Sequence, residues 1–239
     1  YTYTPQGCNP IPVGGSILIN EAPTVLPNDV TTNNPSCFGY NDGSALITAS
    51  SGQPAYVYNW FGENPNNLGA GTYNYSITDS NGCVFNSSVT LIEPAPISVT
   101  ENQTDVSCNG GNDGSIILTI NGGTPTYAQN WGMNNPLALS AGTANYQITD
   151  NNGCTYTDSV IITEPNLLTA TFTQINVSTC LAADGSIDAT ISGGTTPYSY
   201  NWSNGSTAED LSNLSGGIYL LTVTDNKGCT ATLSVTITE

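Results

Sequence analysis

Asn41-Asp42-Gly43-Ser44-Ala45-Leu46-Ile47 reads as a tight turn that opens an alternating apolar run, and its counterparts decide the architecture. They are Asn112-Asp113-Gly114-Ser115-Ile116-Ile117-Leu118 and Ala183-Asp184-Gly185-Ser186-Ile187-Asp188-Ala189, each 71 residues further on. Trp60, Trp131 and Trp202 keep the same 71-residue step. Landmarks recurring in fixed order and register mean tandem copies of one small unit. The spacing predicts repeats at 24–94, 95–165 and 166–239, with residues 1–23 as the closing part of an incomplete preceding copy. Two strands alone are marginal. That fragment is therefore expected either to have lost its partners by truncation or to complete its sheet on another chain.

Within each copy the apolar period is two. Ile116, Leu118 and Ile120 alternate with Ile117 and Thr119, and Val89 with Leu91 recurs as Val160 with Ile162 and Val235 with Ile237. Gly, Asn-Gly and Pro punctuate the runs, and no helical stripe appears. The expectation is an all-β chain of tandem immunoglobulin-like antiparallel β-sandwiches, six or seven short strands in about 71 residues each, strung as an extended rod. Short linkers at Glu93-Pro94-Ala95-Pro96 and Glu164-Pro165-Asn166 would stiffen it.

Composition removes whole classes of function. Of 239 residues only Lys227 is cationic, there is no Arg or His, and the net charge is -17. Tracking of nucleic-acid phosphates and docking on anionic lipid both need rows of basic residues. Histidine-based catalysis and zinc sites are excluded outright. No apolar run reaches membrane-spanning length, so direct insertion is not expected, and no leader is visible at the start of this mature or internal segment. Charged residues make up 8% of the chain against about 25% in ordinary domains, so the surface is built from Asn, Ser, Thr, Gly and Tyr.

So small a core calls for cross-links. Cys37 and Cys83, Cys108 and Cys154, Cys180 and Cys229 fall one pair per copy. The first member precedes an early strand and the second begins the last one. Both can then lie at one end of the sandwich, and the spacing predicts a bridge within each repeat, in an oxidising compartment. Cys8 would need a partner from the missing part of its own copy.

Cys37 to Ser44, Gly193 to Gly205 and Tyr219 to Thr230 resemble SprB-type repeats, with a wider likeness of Asn201-Trp202 and Gly217-Ile218-Tyr219 to PKD and immunoglobulin-like surface modules. The resemblance implies long arrays in giant cell-surface adhesins of gliding and related Bacteroidota. It further implies type IX export and a role in adhesion or motility. Departures exist: Ala144 stands where Tyr73 and Tyr219 stand, so a tyrosine-corner bond is not expected in the middle copy.

Acidic residues recur at two turns, Asp42, Asp113 and Asp184 in one and Asp79, Asp150 and Asp225 in the other. A bridge within the repeat would bring the two turns together, where carboxylates could hold Ca²⁺; ordinary turn chemistry is the competing reading. No other cofactor is expected. Trp60, Trp131 and Trp202 are expected as core anchors, with a sugar-stacking platform as the alternative. Asp158-Ser159-Val160 looks like an O-glycosylation signal of exported Bacteroidota proteins, with Ser159 as acceptor. Glu209-Asp210 has no equivalent in the other copies and is expected as a solvated loop pair, so no enzyme is expected. The reading for function is a stalk or adhesive segment at the cell surface, contacting extracellular surfaces or glycans. The alternatives are a filament of like chains completed by strand exchange, or a carbohydrate-binding module of an exported enzyme.

Overall fold

The structure is a computed structural model that describes residues 21–239 and, before them, only the backbone of β1 (Pro12–Val13) and β2 (Ser16–Ile17), which pair antiparallel. The rest of the expected fragment 1–23, Cys8 included, lies outside the described residues.

In the first repeat a single 3-10 turn, Pro27–Asp29, leads into β3 (Val30–Asn33), β4 (Ser44–Ile47), β5 (Val57–Asn59), β6 (Gly71–Thr78) and β7 (Val84–Leu91). They form two sheets, β3-β4 and β5-β6-β7. The second repeat follows with β8 (Ser98–Thr104), β9 (Ser115–Asn121), β10 (Ala128–Asn130), β11 (Gly142–Thr149) and β12 (Thr155–Ile162), ordered β8-β9 and β10-β11-β12. The third has β13 (Thr169–Ile175), β14 (Gly185–Ser192), β15 (Ser199–Trp202), β16 (Leu211–Leu214), β17 (Gly217–Thr224) and β18 (Thr230–Ile237), ordered β13-β14-β16 and β15-β17-β18.

The architecture is thus all-β and immunoglobulin-like, with antiparallel pairing. The third repeat has six strands, within the expected six or seven, whereas the first two have five each. In the first two the missing strand shrinks to one bridge, Gly43 with Leu68 and Gly114 with Leu139, at the place where Gly185 pairs with Leu214 of β16.

Alternation does its expected work. In β9 burial alternates from Ile116 onward, and Val89, Leu91, Val160, Ile162, Val235 and Ile237 are all buried. The third repeat packs Ile187 and Ala189 of one sheet against Trp202, Leu221, Val223, Val235 and Ile237 of the other. In the first, Ala45 with Leu68, Val89 and Leu91, and Ile47 with Tyr75 and Ile77, form two adjoining clusters. By internal contacts the chain divides into two compact units. One takes the chain up to Ser98 with Ile120–Ala128 and Ile148–Tyr156, and the other takes Val99–Thr119, Gln129–Gln147 and Thr157–Glu239. Each unit contains one complete junction between successive repeats.

The cysteine pairing differs from the expectation, and strand direction explains why. A Cβ on Gly43, at the start of β4, would sit 2.7 Å from Leu91 Cδ2, at the end of β7. The loop before β4 therefore lies at the distal pole, where the chain leaves the repeat. Cys83, just before β7, lies at the proximal pole. The eight residues of β7 separate the poles by roughly 26 Å, whereas bridged cysteines need Cα atoms about 4.4–6.8 Å apart.

The bridges run between neighbouring repeats instead: Cys37 with Cys154 and Cys108 with Cys229, each at a Cα separation of 5.6 Å. Cys83 is also disulfide-bonded. Cys180 is free and exposed, against the expected bridge to Cys229. Cys229 is already joined to Cys108, and Cys180 stands one residue beyond the place that Cys37 and Cys108 hold. The turn bonds Tyr40 N–H to Cys37 O, Gly111 N–H to Cys108 O and Ala182 N–H to Thr179 O are equivalent, so Thr179 occupies the bridging place.

Each junction also has a clamped linker. Gly123 N–H donates to Ala95 O at 2.7 Å, and Gly194 N–H donates to Asn166 O at 2.8 Å. Gly122, at φ +73, allows no side chain, because a Cβ there would lie 2.0 Å from Pro96 O.

The bridges close segments with sequence separations of 117 and 121, each worth about 5 kcal/mol in the chain-entropy description. A peptide map without reductant is expected to recover Cys37 joined to Cys154 and Cys108 joined to Cys229. Cys37→Ser should lower stability by about 2–5 kcal/mol in denaturant melts; recovery of Cys37 with Cys83 would contradict the assignment.

Candidate functional site

The two acidic turns lie at opposite poles, and each has a defined task. At the distal pole Asp42 Oδ1 accepts from Ser36 N–H at 2.9 Å and Oδ2 accepts from the Ser36 hydroxyl at 2.5 Å. Asp113 repeats both bonds with Ser107, and Asp184 accepts from Ser178 N–H at 3.0 Å. The Ser hydroxyl first, then its N–H, holds each of these carboxyls below its ordinary value. The turn thereby fixes the residue preceding each bridging cysteine in the first two repeats. Sequence reading missed these serines, although Ser36, Ser107 and Ser178 keep the 71-residue step.

At the proximal pole Asp79, Asp150 and Asp225 are buried, each organising a hairpin. Asp79 Oδ1 accepts from Asn81 and Cys83 N–H, both at 2.9 Å, and Oδ2 accepts from Gln53 N–H at 3.1 Å. Asp150 does the same with Asn152, Cys154 and Thr124, and Asp225 with Lys227, Cys229 and Thr195. Burial works to raise the pKa of Asp79 and Asp225, but the converging backbone N–H groups outweigh it and hold both below the ordinary value.

Asp42 and Asp79 therefore do not converge. The bridge inside the repeat, on which the calcium reading was built, is not the one found. Among the described residues no three Cys, Asp or Glu gather into a group suited to a metal ion. What meets at a junction is the distal loop of one repeat and the proximal hairpin of the next. Asn152 Nδ2 donates to Ser36 O at 3.0 Å beside the Cys37–Cys154 bridge. At the other junction Lys227 adds its charge to the Ser107 donors that lower Asp113. Glu93 and Glu164 complete the contacts, accepting from Gly39 N–H at 2.5 Å and Gly110 N–H at 2.6 Å.

Trp202 lies within the core of the third repeat, and Trp60 packs against both clusters of the first. Trp202 is 2% exposed, and its indole N–H donates to Ala208 O at 3.0 Å. Trp131 is buried, whereas Trp60 is only half-buried. Trp60 leans on Tyr75 at a ring separation of 5.3 Å, and Trp131 on Tyr146 at 5.0 Å. These pairs border two concave grooves of about 780 and 690 Å³. Ser159 lies exposed on the second groove, its N–H donating to Asp158 Oδ1 at 2.8 Å.

Tyr73 and Tyr219 hydroxyls donate four residues back, to Gly69 O and Ser215 O, while Ala144 is buried in the middle copy. A second tyrosine series went unread: Tyr56, Tyr127 and Tyr198 donate to carbonyls of the turn that holds the linker, Gly52, Gly122 and Gly193. Glu209 and Asp210 are engaged rather than merely solvated. Asp210 accepts from Ala189 N–H at 2.9 Å, and burial, with the Glu209 charge beside it, raises the Tyr200 hydroxyl above its ordinary value.

Three segments, 30–63, 100–131 and 171–207, match the SprB repeat family, as the resemblance implied. That repeat is a non-catalytic structural module of a surface-adhesin type. No curated protein matches the chain. Among solved structures it is similar to the N-terminal eight immunoglobulin domains of Down Syndrome Cell Adhesion Molecule isoform 1.30.30, at 10% identity and a TM-score of 0.39, over 87% of this chain and 36% of that one. It is also similar to the N-terminal four immunoglobulin domains of Dscam1 isoform 6.44, at 12% identity and a TM-score of 0.27, over 87% and 72% of the two chains. Protocadherin Gamma B7 cadherin domains 1–4 align at 11% identity and a TM-score of 0.28, over 91% and 76%. No helix among the described residues is long and apolar enough to cross a membrane.

Because the folded-state pKa of Asp79 and Asp225 lies below the ordinary 3.8, the stability they contribute is complete above that value and lost as pH falls through the folded one. Melting temperatures should stay level from about pH 7 to 5 and fall below about pH 4. Asp79→Asn, which turns a donor toward the Gln53 N–H, should lower the midpoint by roughly 5 °C at neutral pH and shrink the acid limb.

Proposed function

We propose that this chain is a non-enzymatic repeat segment of an exported bacterial cell-surface adhesin, serving as stalk or adhesive rod in surface attachment or gliding. The observation that carries this reading is the doubled junction. Each pair of successive repeats is joined once through the main chain and once through sulfur, within a few residues of the same pole. A joint tied twice resists swivelling and shares load between two covalent paths, as a tether under tension requires. The disulfides support a working environment outside the reducing cytoplasm. The surface suits exposure there as well: sparse charges of one sign limit self-association, and a single Lys leaves trypsin-like proteases almost no cleavage site. Contacts with extracellular surfaces would be weak and multiplied along the array. Calcium held weakly at the acidic turns would rigidify the repeats.

Single-molecule pulling tests the load-bearing reading. Between Cys37 and Cys229 the reduced chain spans 192 residues, roughly 670 Å when fully extended. With both bridges closed the covalent path runs from Cys37 to Cys154, back 46 residues to Cys108 and across to Cys229, roughly 160 Å. The oxidised protein should therefore yield about a quarter of the reduced extension over this stretch. Equal extension with and without reductant would remove the basis for the proposal.

A further inference from the structure

The two grooves on the first and second repeats occupy equivalent positions. Trp60, Asn74, Tyr75, Ser87 and Ser88 in one correspond, 71 residues on, to Trp131, Asn145, Tyr146, Asp158 and Ser159 in the other. Strand count explains why they are open. In the third repeat β16 adds a third strand to its sheet, and Leu211 and Leu214 pack into the core with Trp202. In the first two repeats that strand is a single bridge, so the facing sheet is left uncovered along one flank.

The residues on that flank change with its exposure. The register pairs Asn74 with Ser88 and Tyr75 with Ser87 in the first repeat, and Leu220 with Ser234 and Leu221 with Leu233 in the third. In the first repeat these are an amide, two serines and a tyrosine; in the third Ser234 keeps the serine and Leu220 stays exposed, and the change to apolar packing is confined to Leu221 with Leu233. An open flank needs polar residues only to meet water, so polarity alone does not make a site. Phe61 is the second, separate pointer. It stands at the groove's mouth, 62% exposed, with a left-handed φ of 55, where the second repeat has Gly132 at φ 63. A bulky aromatic residue in that conformation is strained, and its ring covers no core.

We propose that these grooves bind neutral oligosaccharides, which deepens the adhesin reading above by naming its ligand class and contact site. In the first groove the half-buried Trp60 and exposed Phe61 offer stacking for a sugar ring, and in both grooves amides and hydroxyls offer hydrogen bonds for its hydroxyls. Glu63 in the first groove and Asp158 in the second accept from hydroxyl groups and repel anions, and no cation lines either groove. The volumes lie within the range usual for small-ligand sites, about 300–1,000 Å³. Phe61 gives the first groove an added stacking face; in the second, Met133 is fully exposed on the rim.

The test titrates the full oxidised chain with neutral hexasaccharides of β-linked glucose, xylose and mannose, followed by tryptophan fluorescence and calorimetry. Trp202 is 2% exposed, so the optical signal reports on Trp60 and Trp131. At least one sugar should saturate with a midpoint near or below about 1 mM, at two sites per chain. Phe61→Gly, which takes the residue of the second repeat, combined with Ser87→Leu, which takes that of the third, should reduce the stoichiometry to one while the melting temperature holds. Absence of any neutral-sugar response at about 10 mM would overturn the proposal, as would preferential binding of a polyanion such as heparin or unchanged stoichiometry in the variant. None of these outcomes alters the pulling result, so the ligand assignment and the load-bearing reading fail separately.

Discussion

Everything at the junctions depends on one geometric constraint: the chain enters a repeat at one pole and leaves at the other, with its cysteines divided between them. Eight-residue strands separate the poles, so sulfur reaches a partner only across the boundary. The buried aspartates prepare that encounter. Asp150 and Asp225 each gather three backbone N–H groups and so present the second cysteine in a set hairpin. Asp42 and Asp113 hold the opposing loop through Ser36 and Ser107. With both loops preorganised, the bridge closes without having to order either.

The fold was legible because its determinants are local. Period-two alternation, Gly turns and a fixed 71-residue step each follow from neighbouring residues, and the buried positions Val89, Leu91, Val160 and Ile162 were read directly from them. The sulfur pairing was not legible, because it depends on which end of β4 lies beside which end of β7. Spacing along the chain carries no such information. The close approach of Gly43 to Leu91 settles it, and that is a tertiary fact. Counting one cysteine pair per repeat was correct as arithmetic and misleading as topology.

The site was legible in part. Asp79, Asp150 and Asp225 stood out by their recurrence, yet their role as hairpin organisers rests on hydrogen bonds to residues far apart in sequence, such as Gln53 and Thr124. The tyrosines at 56, 127 and 198 also recur in step, but their target carbonyls lie in turns whose shape comes from left-handed glycines such as Gly52, Gly122 and Gly193. Cys180 shows the opposite case. A displacement of one residue, easily passed over in a motif comparison, takes it out of the bridging place, which Thr179 fills.

The staggered bridges also decide what damage the chain survives. The loops closed by Cys37–Cys154 and Cys108–Cys229 overlap, so every peptide bond from Cys37 to Cys229 is enclosed by at least one of them. A single hydrolytic nick anywhere in that stretch leaves both fragments attached. Severing the chain there takes more than one cut.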